Sequence, residues 1–257
     1  LTMCELFGAS FSKPVNLKDQ LKAFYAHSVR HPHGWGIAVC SGTGVNLEKE
    51  PQTAWLSSYL ESRLKHPIRA ANLIAHIRRV SVGGIAYENC HPFTACTADS
   101  RVWTLAHNGT LYDAHGTERF AALQEGGTDS ERILLCLIDR INAALKRTQR
   151  PLSQRERFLA VEQMVAELSS ETPLNLLIFD GELLYVHTNQ PERLCCRRVG
   201  DAMLFATIPL DDAAWTPVPL TQLQAWHAGA LAFQSDGHGH VYLAGEHQVQ
   251  PLDFSLL

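Results

Sequence analysis

Two apolar stripes at helical spacing sit side by side in the middle of the chain, while both ends read as short strands, and this placement limits the fold most. Ile133, Leu134, Leu137, Ile138, Ile141 and Leu145 share one face of a helix capped by Thr128 or Asp129. Phe158, Val161, Met164, Val165 and Leu168 give the next helix its face. Strand patterns flank the pair, over residues 4–11, 35–40, 45–50, 72–78 and 102–107 before it and 174–179, 183–187, 203–207, 231–234 and 241–244 after it. Asp180-Gly181 is a hairpin signal, and the Ser41–Gly44 turn joins another pair. Shorter helices are expected from Asn16 onward and across Trp55, Leu56, Tyr59, Leu60 and Leu64. Strands at both ends with the longest helices between them suit an α+β fold, antiparallel sheet covered by helices, better than an alternating parallel one.

No Gly/Ser-rich, Pro-rich or single-sign linker interrupts the 257 residues, so one domain spanning 1–257 is expected. The net charge of -4 comes from interspersed residues of both signs, which points to no nucleic acid and no anionic lipid surface. Apolar runs such as residues 73–77 and 174–179 are far shorter than the ~20 residues of a membrane helix. No basic, apolar, small-residue leader is read, so the expected compartment is the cytoplasm. The seven cysteines are odd in number and lack a C-x-x-C pair, which argues for reduced, mostly buried thiols rather than disulfides or a zinc ribbon.

The candidate chemistry begins at Cys4, preceded by Leu1, Thr2 and Met3. If initiation is at Met3 and that Met is removed, Cys4 becomes residue one. Its α-amine, with a pKa near ~7.7–8.0, can then act as general base toward its own thiol. Alone, Cys4 reads more simply as a small apolar residue of a buried strand. Arg78 ends one strand and leads into a loop containing Gly83, where its planar fork suits a carboxylate; a surface arginine is the plain alternative. Asn108 and Gly109 offer a side-chain amide and an unobstructed backbone N–H, an oxyanion-hole pair, or else a tight Asn-Gly hairpin turn. Asp129 opens a helix, where it can pair with an ammonium group or serve only as an acidic first turn.

Taken in order, Met3-Cys4 running into Glu5-Leu6-Phe7-Gly8, then His33-Gly34-Trp35-Gly36-Ile37, Ala75-His76-Ile77-Arg78, Asn89-Cys90-His91-Pro92-Phe93, Ala106-His107-Asn108-Gly109 and Gly127-Thr128-Asp129-Ser130-Glu131 form a set of six landmarks over residues 3–131. The set resembles the class II glutamine amidotransferases, which are N-terminal-nucleophile hydrolases, and most of all their stand-alone, YafJ-type branch. The resemblance implies a four-layer αββα sandwich of two antiparallel sheets flanked by helices. It also implies that Cys4 is the nucleophile and its amine the base, that Asn108 and Gly109 hold the oxyanion, that Arg78 binds the substrate α-carboxylate and Asp129 its α-ammonium, and that Ser81 and the Gly109 carbonyl give supporting contacts. Glutamine would pass through a γ-glutamyl thioester to glutamate and ammonia, with no cofactor and no metal.

Three features depart from that pattern: Leu1-Thr2 stand ahead of Met3 and are read as a cloning remnant or mis-set start, His33 stands where the branch usually carries Asp, and the loop after Arg78 differs from the Trp-Ala-Thr-His version of synthase-linked members. The expected partners are glutamine or a related γ-glutamyl compound and a separate ammonia-accepting synthase. Competing functions are hydrolysis of another γ-glutamyl amide or peptide and, from a different class, an idle scaffold or regulatory subunit, which would need none of these side chains. His27, His31 and His33, and the run Asp236-Gly237-His238-Gly239-His240, lack metal-ligand spacing; the latter reads as a Gly/His turn between strands.

Overall fold

The computed structural model describes residues 4–41, 44–112, 116–170 and 172–243. In chain order it contains β1 (Glu5–Asn16), α1 (Lys18–Ala26), β2 (Trp35–Ser41), β3 (Gly44–Glu50), α2 (Ser58–Arg63), β4 (Arg69–Ile77), β5 (Phe93–Cys96), β6 (Val102–Gly109), α3 (Asp129–Thr148), α4 (Gln154–Leu168), β7 (Leu174–Phe179), β8 (Leu184–Thr188), β9 (Cys195–Val199), β10 (Ala202–Ala206), β11 (Thr216–Pro217), β12 (Leu223–His227) and β13 (Ala230–Gln234). The strands form a seven-stranded sheet in the order β11-β9-β10-β1-β4-β2-β3 and a six-stranded sheet in the order β13-β12-β8-β7-β6-β5. Every pairing is antiparallel.

Strand alternation turns these sheets into layers. On β1, Phe7, Ala9 and Phe11 face outward onto Leu21, Phe24 and Tyr25 of α1 and Leu60 of α2. Leu6, on the other face, meets Ala106, Leu177 and Phe179 of the second sheet in a core that also holds Ala38, Ile74, Phe205 and Trp226. The second sheet repeats the device: Leu177 and Phe179 of β7 point into that shared core, while Leu174, Leu176 and Ile178 face the stripes of α3 and α4. Three apolar interfaces therefore separate four layers, the αββα sandwich that the landmark set implies.

Helix ends follow their local chemistry. The Thr128 side chain accepts from the Glu131 amide at the start of α3, and Ser153 forms a capping box with Glu156 at the start of α4. Asp180, at the end of β7 away from Asn175, accepts from Arg157 Nε and Tyr185 Oη (both 2.7 Å) and from the amides of Glu182 and Leu183 (2.9 and 2.7 Å). Its carboxylate and Arg157 are both buried, so Asp180→Ala, which leaves two turn amides and the Tyr185 hydroxyl without their acceptor and Arg157 with Glu182 as its remaining carboxylate, should cost about 3 kcal/mol. A urea unfolding midpoint measures that loss.

Four expectations need correction. The stripe from Trp55 to Leu64 is not one helix: a 3-10 turn covers Ala54–Leu56, and Ser57 then caps α2 by accepting from the Leu60 amide at 2.9 Å. Leu60 and Leu64 are buried, but Trp55, Leu56 and Tyr59 are exposed. Residues 241–243 form no strand, and Ala244 lies outside the described residues. Nor do residues 236–240 form a turn between strands; His238 instead packs on His187, Nε2 to Nε2 at 3.0 Å. Finally, Asn108-Gly109 is no hairpin turn. Both residues close β6, paired with Asn175 and Leu174 of β7.

Candidate active site

The first strand places Cys4 immediately before Glu5, whose register partner is Ile77 at the end of β4. The thiol therefore lies beside the residues that follow β4. Its Sγ donates to the Arg79 carbonyl and accepts from the Arg79 amide, each at 3.2 Å. Loss of surrounding water pushes this thiol up to about 11, against the opposing pull of the Arg79 backbone and the Arg78 charge. Acidity alone does not distinguish it, since burial also pushes Cys40 up to about 12 and Cys90 to about 11. All seven cysteines are unbridged. Met3 and the residues before it lie outside the described residues.

Arg78 is 3 % exposed and points back into its own loop. Nη1 donates to Gly84 O (2.9 Å), and Nη2 donates to Val82 O and Gly83 O (3.0 and 3.3 Å). Three of its five N–H donors are thus used on carbonyls, and no carboxylate pairs with it among the described residues. Burial lowers its pKa from the ordinary arginine value, the mark of a cation held away from water. Asp129, 8 % exposed at the first position of α3, accepts from the Leu111 amide (2.6 Å) and the Ser130 amide (2.9 Å). No Lys or Arg pairs with it among the described residues. Two buried charges of opposite sign, neither neutralised by a side chain, suit the two ends of an α-amino acid.

Asn108 is fully buried, and neither its side-chain oxygen nor its side-chain nitrogen has a hydrogen-bond partner. Its backbone is held firmly, with Asn175 Nδ2 donating to the Asn108 carbonyl at 2.7 Å. An amide fixed at its root and unsatisfied at its tip is a donor prepared for an oxygen atom. Position 109 accepts only glycine: a Cβ there would lie 1.9 Å from the carbonyl oxygen of Pro173, the residue just before β7. Gly34 is restricted as well, with φ +147° and a would-be Cβ 2.6 Å from Cys90 Sγ. Ser81, exposed, accepts from Thr110 Oγ1 at 3.2 Å and so ties the Arg78 loop to the end of β6.

The structure adds an organiser that sequence reasoning gave no role. Asn89 Nδ2 donates to Gly84 O (2.9 Å), while its Oδ1 accepts from the Gly127 amide (2.7 Å), joining the Arg78 loop to the entry of α3. Glu131 supports the same entry by accepting from the amides of Glu125 and Gly126. The only signal was that Asn89 and Gly127 each open a landmark of the set, since a bridging amide leaves no local pattern.

Two of the buried histidines, His91 and His107, are engaged, whereas both ring nitrogens of His76 are buried without a partner. His107 places Nδ1 at 2.9 Å from Ser130 Oγ and Nε2 at 3.2 Å from Pro173 O. His91 Nδ1 accepts from the His107 amide at 3.4 Å, and its ring packs against His76 and Phe93. Burial lowers the pKa of both below the ordinary histidine value. Neither is a hydrogen-bond partner of Cys4 Sγ, which removes the ordinary cysteine–histidine arrangement. His27 instead contacts Glu5, Nδ1 to Oε2 at 2.8 Å, and His33 binds the Val80 amide.

With this geometry in view, comparison with known proteins gives a consistent result. The sequence pattern of the class-II glutamine amidotransferases matches residues 3–199. The Escherichia coli (strain K12) protein YafJ, assigned as a glutamine amidotransferase, is 31% identical over 192 residues, covering 73% of this chain and 74% of YafJ. Among solved structures, a predicted glutamine amidotransferase from Pseudomonas aeruginosa PA01 superimposes with a TM-score of 0.61 at 22% identity, over 90% of this chain and 100% of that one. The glutamine phosphoribosylpyrophosphate amidotransferase from B. subtilis gives 0.65 at 18% identity, over 90% of this chain and 49% of that one, so the chain spans about half of the latter enzyme. Both structures share the two-sheet sandwich. The chain belongs to the class-II glutamine amidotransferase family.

Proposed function

We propose that the chain is a single glutaminase unit which hydrolyses the side-chain amide of glutamine. Cys4, once freed at its amine, attacks the amide carbon through Sγ, and the amine takes the thiol proton. The Asn108 side chain and the Gly109 amide stabilise the tetrahedral oxyanion. As it collapses, the proton passes to the departing nitrogen and ammonia leaves a γ-glutamyl thioester, which water cleaves to glutamate. Arg78 holds the α-carboxylate, Asp129 the α-ammonium, and Ser81 and the Gly109 carbonyl complete the cradle. No cofactor is required. Ammonia passes to a separate acceptor enzyme, or glutamate release is itself the activity, in a cytoplasmic setting.

The observation that carries this reading is the buried, unpartnered amide of Asn108. Burying a polar group unpaired costs about 1–3 kcal/mol; His76, Trp103 and Thr104 are also unpartnered, so the weight falls on the place of Asn108 beside Gly109 at the end of β6. The uncompensated charges of Arg78 and Asp129 support the same reading. Among the described residues no helix is long and apolar enough to cross a membrane.

The test is to incubate Met-initiated protein, its N-terminus verified by mass spectrometry, with glutamine and a panel of γ-glutamyl peptides. Glutamine should be the preferred substrate, and a diazo-ketone glutamine analogue should label the chain once, at Cys4. Labelling at Cys40, Cys90, Cys96 or Cys136 instead overturns the assignment. Arg78→Lys and Asp129→Asn should chiefly raise KM, since each meets a charge present in ground and transition states alike. Normal KM in both variants would refute the proposed recognition of the amino-acid end.

A further inference from the structure

The turn that opens β2 also grips the segment beside the nucleophile. The His33 amide donates to the Arg78 carbonyl (3.2 Å), and the Gly34 carbonyl accepts from the Arg78 amide (2.8 Å). Two residues on, the His33 imidazole Nδ1 accepts from the Val80 amide at 2.9 Å. Between these anchors lies Arg79, whose amide and carbonyl are the hydrogen-bond partners of Cys4 Sγ. One end of the tripeptide is therefore fixed by backbone bonds, while at the other end the amide of Val80 is held by one ring nitrogen.

That nitrogen accepts only while it carries a lone pair, so the latch exists in the neutral imidazole with its proton on Nε2. Protonation would set an N–H against the Val80 N–H. The charged and titratable groups facing His33 are Arg78, Arg79 and His31, with Glu5 beyond His31 at 3.7 Å and contacted by His27 as well. Burial first, then the two arginines, lower the His33 pKa from its ordinary value, so the ring is neutral at neutral pH.

We propose that His33 is a positioning residue: by accepting the Val80 amide, its neutral ring holds Arg78 and Arg79 in the geometry that receives glutamine, and mild acid releases that hold. The inference rests on the glutaminase reading for its substrate but not for the latch itself. Because the folded pKa is depressed, the latch is intact at neutral pH and above and is lost as pH falls below about 6.5 through the folded pKa. Losing one such hydrogen bond should weaken glutamine binding by roughly threefold to tenfold.

The experiment uses processed protein carrying Cys4→Ala, so that glutamine binds without turnover, and compares Kd at about pH 7.5 and about pH 5. The parent should lose affinity in acid. His33→Asn, whose Oδ1 takes the place of Nδ1 without titrating, should flatten the dependence, and His33→Ala should bind weakly at both pH values. Any effect of the α-amine is common to all three, so the difference between parent and H33N profiles isolates the latch. Hydrogen exchange of the Val80 amide, corrected for intrinsic rate, reads the same event without substrate: protection should fall in acid for the parent and stay constant for H33N. Identical profiles in parent and H33N, or undiminished Val80 protection in H33A, overturn the proposal. If no variant binds glutamine at either pH, the glutaminase reading fails, while Val80 protection still decides whether His33 latches the loop.

Discussion

Cys4→Ala protein should show no glutamine hydrolysis above background, a loss on the order of 10⁶ in kcat, as expected when a hydrolase loses its nucleophile. The change deletes one sulfur atom that bonds only to the Arg79 backbone among the described residues, so the fold should survive. Its companion result concerns the residues in front. With Leu1, Thr2 and Met3 attached, the nitrogen of Cys4 is an amide without useful basicity, and a thiol near 11 leaves a thiolate fraction on the order of 10⁻⁴ at neutral pH. Among the described residues Cys4 Sγ meets the Arg79 backbone and no histidine ring. Unprocessed protein should therefore run about 10²–10⁴ slower than processed protein, the usual contribution of a general base. Initial rates on N-terminally sequenced samples decide the matter: equal rates for the two forms would end the N-terminal-nucleophile mechanism.

Asn108→Ala should lower kcat by about 10²–10³ with a smaller effect on KM, since the donor meets charge that develops only in the tetrahedral intermediate. A second measurement separates this from structural damage. The Asn108 side chain makes no hydrogen bond in the fold, so its removal breaks none and relieves a buried polar group. Thermal stability should hold or rise while activity collapses, the opposite of what a structural asparagine shows. Asn175 provides the contrast: its side chain bonds the Asn108 carbonyl, Gln190 Oε1 and Thr188 Oγ1, so Asn175→Ala should lower both stability and activity. A drop in melting temperature for N108A equal to that for N175A would mean the amide is a strut rather than a donor.

Much of this was legible in the sequence because the signals were long or doubly encoded. The α3 and α4 stripes run for many residues, and the β2–β3 and β7–β8 hairpins pair alternation with turn residues. β5, β9, β11 and β12 were not read: each has five residues or fewer, and Cys195–Val199 carries two arginines on an outer part of its sheet, so pairing with neighbours rather than composition makes them strands. Trp55 and Leu56 matched a helical stripe but lie exposed, because Ser57 starts the helix after them. At the site, residue types and order were legible, while the direction of Arg78 into its own loop was not. That direction depends on carbonyls at 82–84, which any sequence possesses. The Asn-Gly pair was ambiguous for a related reason: a turn and a strand end both accept glycine, and the pairing of Asn108 and Gly109 with Asn175 and Leu174 of β7 distinguishes them.

The position of β1 bears on timing as well as geometry. The leading edge of a domain is commonly where it frays, opening many times for each global unfolding event. Here the opening strand is the middle member of seven, zipped to β10 on one side and β4 on the other. The proposed nucleophile, Cys4, precedes the first residue of that central strand and is therefore carried by an interior member of the sheet rather than by a fraying edge.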